Sequence, residues 1–454
     1  MAGIDTTSLK TEIAKILSAP TAGAFYFLSA VVVAQVSAGK TMRIPLRQVN
    51  SLDVIRNYAS AYCDLTCLEG EIGLGTYAYD IYPYKNNLKI ELTRRLLSEN
   101  GASQSGSTVT QTFAATLWND FNPVIEAPNA NVEFRQNMDL EHQLTIRFQL
   151  LDQTIQQGRL YTIGGAYRNQ APGDIVRYFL TEVSQSVEVD DSERVLGVDM
   201  VDPDNTDPML NFVIDHGTPL IDGPDLVNRD GGALYNTGLG FYLQGRRWFV
   251  YPLYDLTRYE REKRTLTLIV VPSNRMPRVE RTFRRTAYQT VALVTGEIKH
   301  NDPSERAELN QGNAARFVDA RKVFGGLASV EGNKASIRRN DNVNEFAVEK
   351  RDDKLNNANG AAGTVTSNVF YERGKLASRV GAQVACVWEN SNPDYIYPGM
   401  PVKIMYTANE QIIERVGVVE QAHHFFGAST LSPTNARHSC NTALTLFIEK
   451  LPEQ

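Results

Sequence analysis

Residues 34–41 carry the pattern of a relaxed phosphate-binding loop, A-x-x-x-x-G-K-T, directly after an apolar stretch. Such a loop holds phosphates only when it leads into a helix, whose N-terminal amides and dipole provide the binding. Pro45 would lie inside that helix and would break it. The segment therefore favours a hairpin that turns at Gly39 over a nucleotide site.

Gly70, Gly73 and Gly75 imitate the glycine-rich turn of a dinucleotide-binding fold. That turn must also open a helix, whereas the residues that follow, Thr76–Tyr84, are predicted as a strand. These glycines are therefore expected in ordinary turns.

Asp202, Asp204 and Asp207 resemble part of a calcium-binding loop. The pattern fails, because Pro208 follows the third of them and Val213 stands where the bidentate glutamate is required. We expect a solvated acidic turn here, with a surface cation site as the alternative.

Cysteine and histidine side chains that could bind zinc lie at opposite ends of the chain: Cys63, Cys67, His423, His424, His438 and Cys440. Neither group has the spacing of a zinc finger. Buried thiols and partly exposed histidines are the expected roles. The sequence thus predicts no metal site and no cofactor.

No serine-nucleophile elbow and no H-E-x-x-H motif occurs in the sequence. The paired acids Asp190-Asp191 and Asp352-Asp353 are adjacent, and neighbours on a strand point to opposite faces. The sequence therefore predicts no catalytic residues and no enzyme. A hydrolase with two carboxylates across a cleft stays open as an alternative, since sequence cannot place such a pair.

Residues 258–285 form a basic run, with nine lysines and arginines against three glutamates. A nucleic-acid footprint would need such a patch. The chain as a whole has a net charge of −6, which argues against a globally basic coat. The charged outer face of a sheet, or a subunit contact, is the favoured interpretation.

The length of 454 residues predicts two to four domains, and 42% hydrophobic with 22% charged residues is ordinary for a folded protein. Four cysteines in so long a chain fit a reducing compartment. The apolar run 22–36 contains Ser29 and Gln35 and is too short for a membrane helix. An export signal is the weaker reading, because Asp5 and Glu12 stand where basic residues belong.

The elements predicted from periodicity and turn residues form a β-rich α+β fold. A helix at Thr7–Leu17 precedes a first β-module (20–170), which holds a helix near 50–62 and a flexible loop at 101–107. A mixed α/β insert (171–300) contains a helix at Asp174–Gln185 and an aromatic hairpin at Gly238–Pro252. A helical segment with a polar linker (301–364) and a C-terminal β-module (365–454) complete the chain, with strands at Val384–Trp388, Tyr395–Tyr406, Val416–Val419 and Leu444–Ile448.

Four segments resemble central baseplate hub proteins of contractile-tailed bacteriophages: LIDGPDLV (220–227), GGALYNTGLGFYLQGRRWFVYPLYD (231–255), LNQGNAARFVDA (309–320) and YPGMPVKIMY (397–406). The resemblance implies two tail-tube-like β-barrel modules that flank the insert. It implies a homotrimeric ring with pseudo-sixfold symmetry, which joins the sixfold tube to the threefold spike. It carries over no catalytic residue.

The same resemblance implies the partners: a second and third copy of the chain, the tail tube protein, the central spike protein and baseplate wedge proteins. It implies assembly in the host cytoplasm and a place in the virion, with no membrane in the assembled state. Passage of DNA through the central channel is left open. Other tail components, such as a tube initiator or a fibre-attachment protein, and a tail enzyme that degrades cell wall or polysaccharide remain the alternatives.

Aromatic residues of the hairpin are the candidate subunit contact, because aromatic side chains dominate interface hot spots. The alternative is that they form a domain core. The candidates are Phe241, Tyr242, Trp248, Phe249 and Tyr251.

Overall fold

The computed structural model describes residues 6–18, 25–37, 39–59, 64–97, 103–118, 143–277, 282–296, 377, 381–408, 411–430 and 437–449. Most of its regular structure is strand, which confirms the predicted β-rich α+β class. The first strands are β1 Phe25–Ser37, β2 Lys40–Pro45, β3 Gln48–Asn57, β4 Asp64–Gly73, β5 Leu88–Leu97, β6 Ser103–Leu117 and β7 Gln143–Asp152. The last are β13 Thr265–Val270, β14 Phe283–Arg285, β15 Gln289–Val294, β16 Gly381–Trp388, β17 Pro401–Ala408, β18 Gln411–Thr430 and β19 Arg437–Glu449.

The first seven strands form most of a closed ring, here called barrel one. Strands β1, β5, β6, β7, β4 and β3 pair in that order, all antiparallel, and β2 extends β1 as a hairpin. The gap between β3 and β1 is filled from the other end of the chain. There β18 pairs with β3 through residues 421–427, and β19 meets β1 at Phe25 and Tyr26.

Side-chain alternation explains why these strands close on themselves. Along β1 the inward residues are Tyr26, Leu28, Ala30 and Val32, each at most 3% exposed. They meet inward residues of every other strand of the ring, such as Phe148. Burying each large apolar side chain contributes roughly 1.5–3 kcal/mol, so a ring that encloses one face of every strand gathers a large stabilisation.

The C-terminal strands form a second ring, here called barrel two. Strands β15, β13 and β17 pair in parallel, and β17, β18, β19 and β16 continue antiparallel. Reciprocal backbone hydrogen bonds of 2.8 and 2.7 Å between Thr295 and Val387 close the ring. Its core includes Trp388, Val402 and Leu446, all fully buried.

Between β7 and β13 the chain builds a separate unit, here called the insert (153–261). Its strands are β8 Thr162–Tyr167, β9 Gly197–Met200, β10 Phe212–Pro219, β11 Leu239–Gln244 and β12 Arg247–Pro252. Its helices, numbered after the N-terminal α1 Thr6–Leu17 and the single turn α2 Leu74–Thr76, are α3 Gln153–Leu160, α4 Pro172–Tyr178, α5 Ser184–Ser186, α6 Gly223–Asp230 and α7 Arg258–Arg261. Ile175, Phe179 and Trp248 lie at the centre of its core.

Helix α1 does not pack beside β1, its neighbour in sequence. Ile16 is 1% exposed and contacts Ile269 and Leu293 on the outer face of barrel two. Glu12 and Arg284 form an ion pair at 2.8 Å along the same contact. The predicted helix at Thr7–Leu17 is therefore confirmed, and it covers the barrel built by the other end of the chain. None of the described helices has the length and apolar character needed to cross a membrane.

Three local predictions were wrong. The predicted helix near 50–62 is strand β3, because Leu52 and Val54 alternate into the core and both edges of the strand pair with neighbours. The predicted strand Thr76–Tyr84 is a run of helical turns whose inner face carries Tyr77 and Ile81. The predicted loop 101–107 lies within β6 from Ser103 onward.

The C-terminal strands also differ from the pattern read in the sequence. A strand begins only at Pro401, because Pro393–Tyr395 forms a 3-10 turn and Gly399 adopts a positive φ of 61°. Pro398 and Gly399 form a turn just before this strand. The predicted module boundaries at 170, 300 and 364 stay a prediction, and the predicted helical segment with its polar linker (301–364) lies outside the described residues. Ile155 and Ile163 pack in the core of the insert, while Leu266 and Val294 pack in that of barrel two.

Candidate functional site

Among the described residues, the side chains that could do chemistry do not converge. Within the described residues, no group of three His, Cys, Asp or Glu side chains is placed to hold a metal ion. The phosphate-loop pattern lies in the β1–β2 hairpin, where Gly39 turns the chain at φ +76° as expected. Asp204 accepts a hydrogen bond from the backbone of Asn236 at 2.8 Å, so this acid of the DPDNTD turn fixes a neighbouring loop.

The histidines and cysteines near the end of the chain lie in barrel one, where their side chains are hydrogen-bonded or buried. His424 is hydrogen-bonded to Thr442 at 2.8 Å, and His438 donates to the carbonyl of Val49 at 2.8 Å. His423 lies 2.9 Å from Asp53 on the outer surface. Burial raises the pKa of Cys440 to about 11 and keeps it a thiol. Cys67 is half-buried, and Cys63 lies outside the described residues.

The basic run is largely engaged in structure. Arg258 is 5% exposed and donates to the carbonyl of Gly399 at 2.8 Å. Arg261 pairs with Asp255 and Arg284 with Glu12. The guanidinium of Arg285 stacks over the ring of Tyr395, 4.0 Å from its centroid. Arg278, Arg281 and the Asp352-Asp353 pair lie outside the described residues.

The aromatic hairpin, here called the aromatic wedge, lies between the core of the insert and the core of barrel two. Strands β11 and β12 pair antiparallel from Leu239–Pro252 to Gln244–Arg247. Because successive side chains of a strand point to opposite faces, Phe241 and Trp248 enter the core of the insert and Tyr242 and Tyr251 enter that of barrel two. All four are at most 3% exposed.

Placement of these residues bears on the predicted subunit contact. Four of the five candidates lie inside the chain's own cores, and Phe249 alone is partly exposed, packed at the margin of the barrel-two core. The indole of Trp248 also donates to the Ser184 hydroxyl at 3.1 Å. A role of the hairpin at a subunit contact stays a prediction. Of the five candidates, Phe249 is the one with exposed surface that a neighbouring subunit can reach.

A single long hairpin belongs to both barrels. Strands β18 and β19 pair from Gly417–Ile448 to Thr430–Arg437. The half near Val419 and Leu446 builds the wall of barrel two, and the half near Phe426 and Cys440 completes barrel one. A bulge between Val419 and Gln421 marks the passage from one ring to the other. A bulge bends a strand and increases its twist, so one hairpin can follow two walls.

The loop that follows β16 in barrel two binds the junction of the two barrels through hydrogen bonds and an ion pair. The Ser391 backbone N–H donates to the carbonyl of Cys440 at 2.7 Å, and its hydroxyl lies 2.6 Å from that of Thr442. Three residues on, Asp394 pairs with Arg94, whose guanidinium also faces the rings of Tyr26 and Phe426 at 5.7 Å. The barrels are therefore joined by shared strands and by the polar contacts of this loop.

Five of the twelve large apolar side chains that are exposed within the described residues belong to the insert. A groove of about 340 Å³ lies between β8 and helix α4 and is lined by Tyr167, Tyr178 and His216 among others. Exposed apolar side chains of the same unit are Leu160, Tyr178, Leu196, Leu210 and Val213, each at least 44% exposed.

Sequence reasoning did not predict the contacts that join the two barrels and the insert. The shared hairpin could have been found from the long alternation in residues 411–430, which exceeds the usual strand length of about 5–6 residues. Arg258 gave no such signal, because the carbonyl of Gly399 to which it donates lies 141 residues away in the sequence. The same holds for Tyr58, whose ring packs against that of Tyr242.

No protein-family model matches the chain, and no curated protein matches its sequence. Three solved structures have similar folds. A tail protein from Neisseria meningitidis MC58 is 11% identical, with 93% of this chain and 96% of that chain covered and a TM-score of 0.45. A tail protein of prophage MuSo2 from Shewanella oneidensis is 9% identical, with coverages of 92% and 98% and a TM-score of 0.46. An E. coli component of the type VI secretion system, described as structurally similar to T4 bacteriophage tail proteins, is 10% identical, with coverages of 89% and 74% and a TM-score of 0.41.

Proposed function

We propose that the chain is a structural protein of a phage tail baseplate and acts as the hub that joins the tail tube to the central spike. The observation that carries the proposal is the pair of closed rings in one chain, joined by the β18–β19 hairpin. Three such chains around a threefold axis present six barrels. One ring of subunits then matches a sixfold tube on one side and a threefold spike on the other.

Load transfer is the mechanical part of the proposal. A force on barrel one reaches barrel two through β18 and β19, because both strands run through both walls. The ion pair between Asp394 and Arg94 adds a second connection. A hub needs such stiffness, since sliding of one barrel against the other would break the sixfold arrangement.

The proposed partners are two further copies of the chain, the tube protein, the spike protein and the baseplate wedge proteins. The proposed location is the virion, after assembly in the host cytoplasm. The role is structural and involves no catalysis. The insert, with its exposed apolar residues, is the proposed side for contacts outside the ring.

Native mass spectrometry of the purified chain tests the hub. A closed trimer has three times 50.6 kDa, or roughly 150 kDa. If the chain alone is monomeric, the same measurement is repeated after mixing with the spike protein. A dimer or hexamer, or a monomer that stays monomeric with the spike, would contradict the proposed role. Release of sugar from cell-wall substrate by the monomer would favour the enzyme alternative.

A further inference from the structure

The insert contacts barrel one through a polar joint at the place where β7 leaves the sheet. The last residue pair between β6 and β7 is Phe113 with Asp152. The backbone of Thr112, the neighbour of Phe113 on β6, forms its hydrogen bonds with side chains of the insert. Its N–H donates to Glu193 at 2.9 Å, and its carbonyl accepts from Gln153 at 3.2 Å. The insert thus supplies the hydrogen bonds that a neighbouring strand would otherwise provide.

A second layer of hydrogen bonds surrounds these two. Asp190 accepts from the amide of Gln153 at 2.9 Å and from the ammonium of Lys89 at 2.8 Å. Asp152 accepts from the Gln111 side chain at 3.2 Å and, as the cap of α3, from the backbone of Thr154 at 2.8 Å. Strands β5, β6 and β7, helix α3 and the loop 188–194 therefore meet through polar side chains.

The joint borders open space. A crevice of about 410 Å³ follows it, lined by Lys89, Gln153, Gln156, Gln157, Glu188, Val189, Asp190 and Arg194. At the aromatic wedge, by contrast, Tyr242 and Tyr251 are buried in the core of barrel two. Separation of the insert from its surroundings should therefore begin at the polar joint.

Two acids of the joint lie where the charged form is disfavoured. Loss of hydration raises the pKa of Asp152 to about 6, and the carboxylates of Glu193 and Asp64 act in the same direction. Loss of hydration also raises the pKa of Glu193, which is 6% exposed, and Asp190 adds to the effect. The cations that face the joint are Arg246 towards Glu193, Lys89 towards Asp190 and Arg194, which pairs with Asp191. The hydrogen bond from Lys89 lowers the pKa of Asp190 below its ordinary 3.8, so this acid stays charged between pH 7.5 and 5.0 and opposes the effect of the other two only in stronger acid.

We propose that this joint is a proton-tightened latch, in which mild acid holds the loop 188–194 on strand β6 and neutral pH favours its release. The sign follows from linkage. An acid that binds its proton more tightly in the docked state makes docking stronger as the pH falls from 7.5 towards 5. The protonated carboxyls keep a carbonyl oxygen, which still accepts from the Thr112 and Thr154 backbones. The latch does not depend on the proposed hub role.

Hydrogen exchange of the full chain at pH 5.0 and pH 7.5, corrected for the intrinsic rate, tests the latch. For Asp152 alone, a docked pKa of about 6 predicts at most about tenfold greater protection of residues 188–194 and 111–113 at pH 5.0, reached when release returns this carboxyl to its ordinary pKa of 3.8. The double variant Asp152→Asn with Glu193→Gln keeps the acceptors and removes the protons. It should protect the loop equally at both pH values.

Glu188→Gln, at an exposed acid of the same crevice, is the matched control and should leave the response of the wild type unchanged. Protection that stays constant or falls towards pH 5.0 in the wild type overturns the latch, whether or not the double variant folds. A pH response that survives in a folded double variant also overturns it, because other groups would then be responsible.

Discussion

The hydroxyl of Tyr251 in the insert donates a hydrogen bond to the backbone carbonyl of Tyr58, 193 residues earlier in the chain. Tyr58 follows the last residue of β3, and its ring meets that of Tyr242 edge-on at 5.3 Å. The aromatic wedge is thus tied to barrel one as well as to barrel two. One buried hydrogen bond connects the insert to barrel one, and the packing of the same tyrosine connects it to barrel two.

Substitution Tyr251→Phe tests this tie. The ring remains, but the buried carbonyl of Tyr58 loses its donor, and an unsatisfied buried acceptor costs about 1–3 kcal/mol. We expect the free energy of unfolding, measured in urea, to fall by that amount. Tyr79→Phe, at a side chain that is 67% exposed, is the control and should change little. Equal stability of Tyr251→Phe and the wild type would show that water replaces the lost bond.

The aromatic hairpin can be divided by substitution into core and surface. Phe241→Ala removes a side chain that is 1% exposed and should destabilise the fold by about 3–5 kcal/mol. Phe249→Ala removes a partly exposed ring and should cost less. If the hairpin contributes to a subunit contact, Phe249→Ala should lower the trimer fraction in native mass spectrometry at unchanged fold. A trimer that is as stable as the wild type would remove Phe249 from the contact.

Gly417 tests the close contact inside the shared hairpin. A Cβ at this position would lie 2.1 Å from the carbonyl oxygen of Phe447, so the backbone of β18 or β19 must shift. We expect Gly417→Ala to destabilise the protein by about 1–3 kcal/mol, as overpacked cores do. Gly158→Ala is the control, since its Cβ would meet Ile221 at an ordinary 3.7 Å. In a helix that change should be neutral or stabilising by up to about 1 kcal/mol.

His424 should make barrel one sensitive to acid. Burial and the charges of Arg56 and Arg94 lower the pKa of His424 well below its ordinary value of 6.5. The unfolded chain therefore binds the proton more readily, and stability is lost as the pH falls below about 6.5, by up to about 1.4 kcal/mol per pH unit. Unfolding in urea at pH 7.5 and pH 5.5 should show a smaller loss for His424→Gln than for the wild type. The exposed His216, changed to Gln, is the control.

Particular residues show why the sequence predicted some elements and missed others. The β1–β2 hairpin and the hairpin at 239–252 were predictable, because turn glycines and alternating residues are local signals. Strand β3 was read as a helix, because Leu52, Ile55 and Ala59 also fit a spacing of three to four. Only pairing with β4 and β18 decides between the two, since it satisfies the backbone of β3 on both edges.

By itself the sequence determined the β-rich class, the helix at the N-terminus, the positions of several strands and turns, and the lack of a known catalytic motif. These follow from composition and from patterns within a few residues. Tertiary structure alone decided that β18 and β19 complete both barrels, that the aromatic hairpin serves two cores, and that Glu193 serves the free edge at Thr112. Each of these joins residues from distant parts of the chain. A strand edge or a buried carbonyl accepts any partner of suitable shape and hydrogen-bonding character, and only the packed fold selects one.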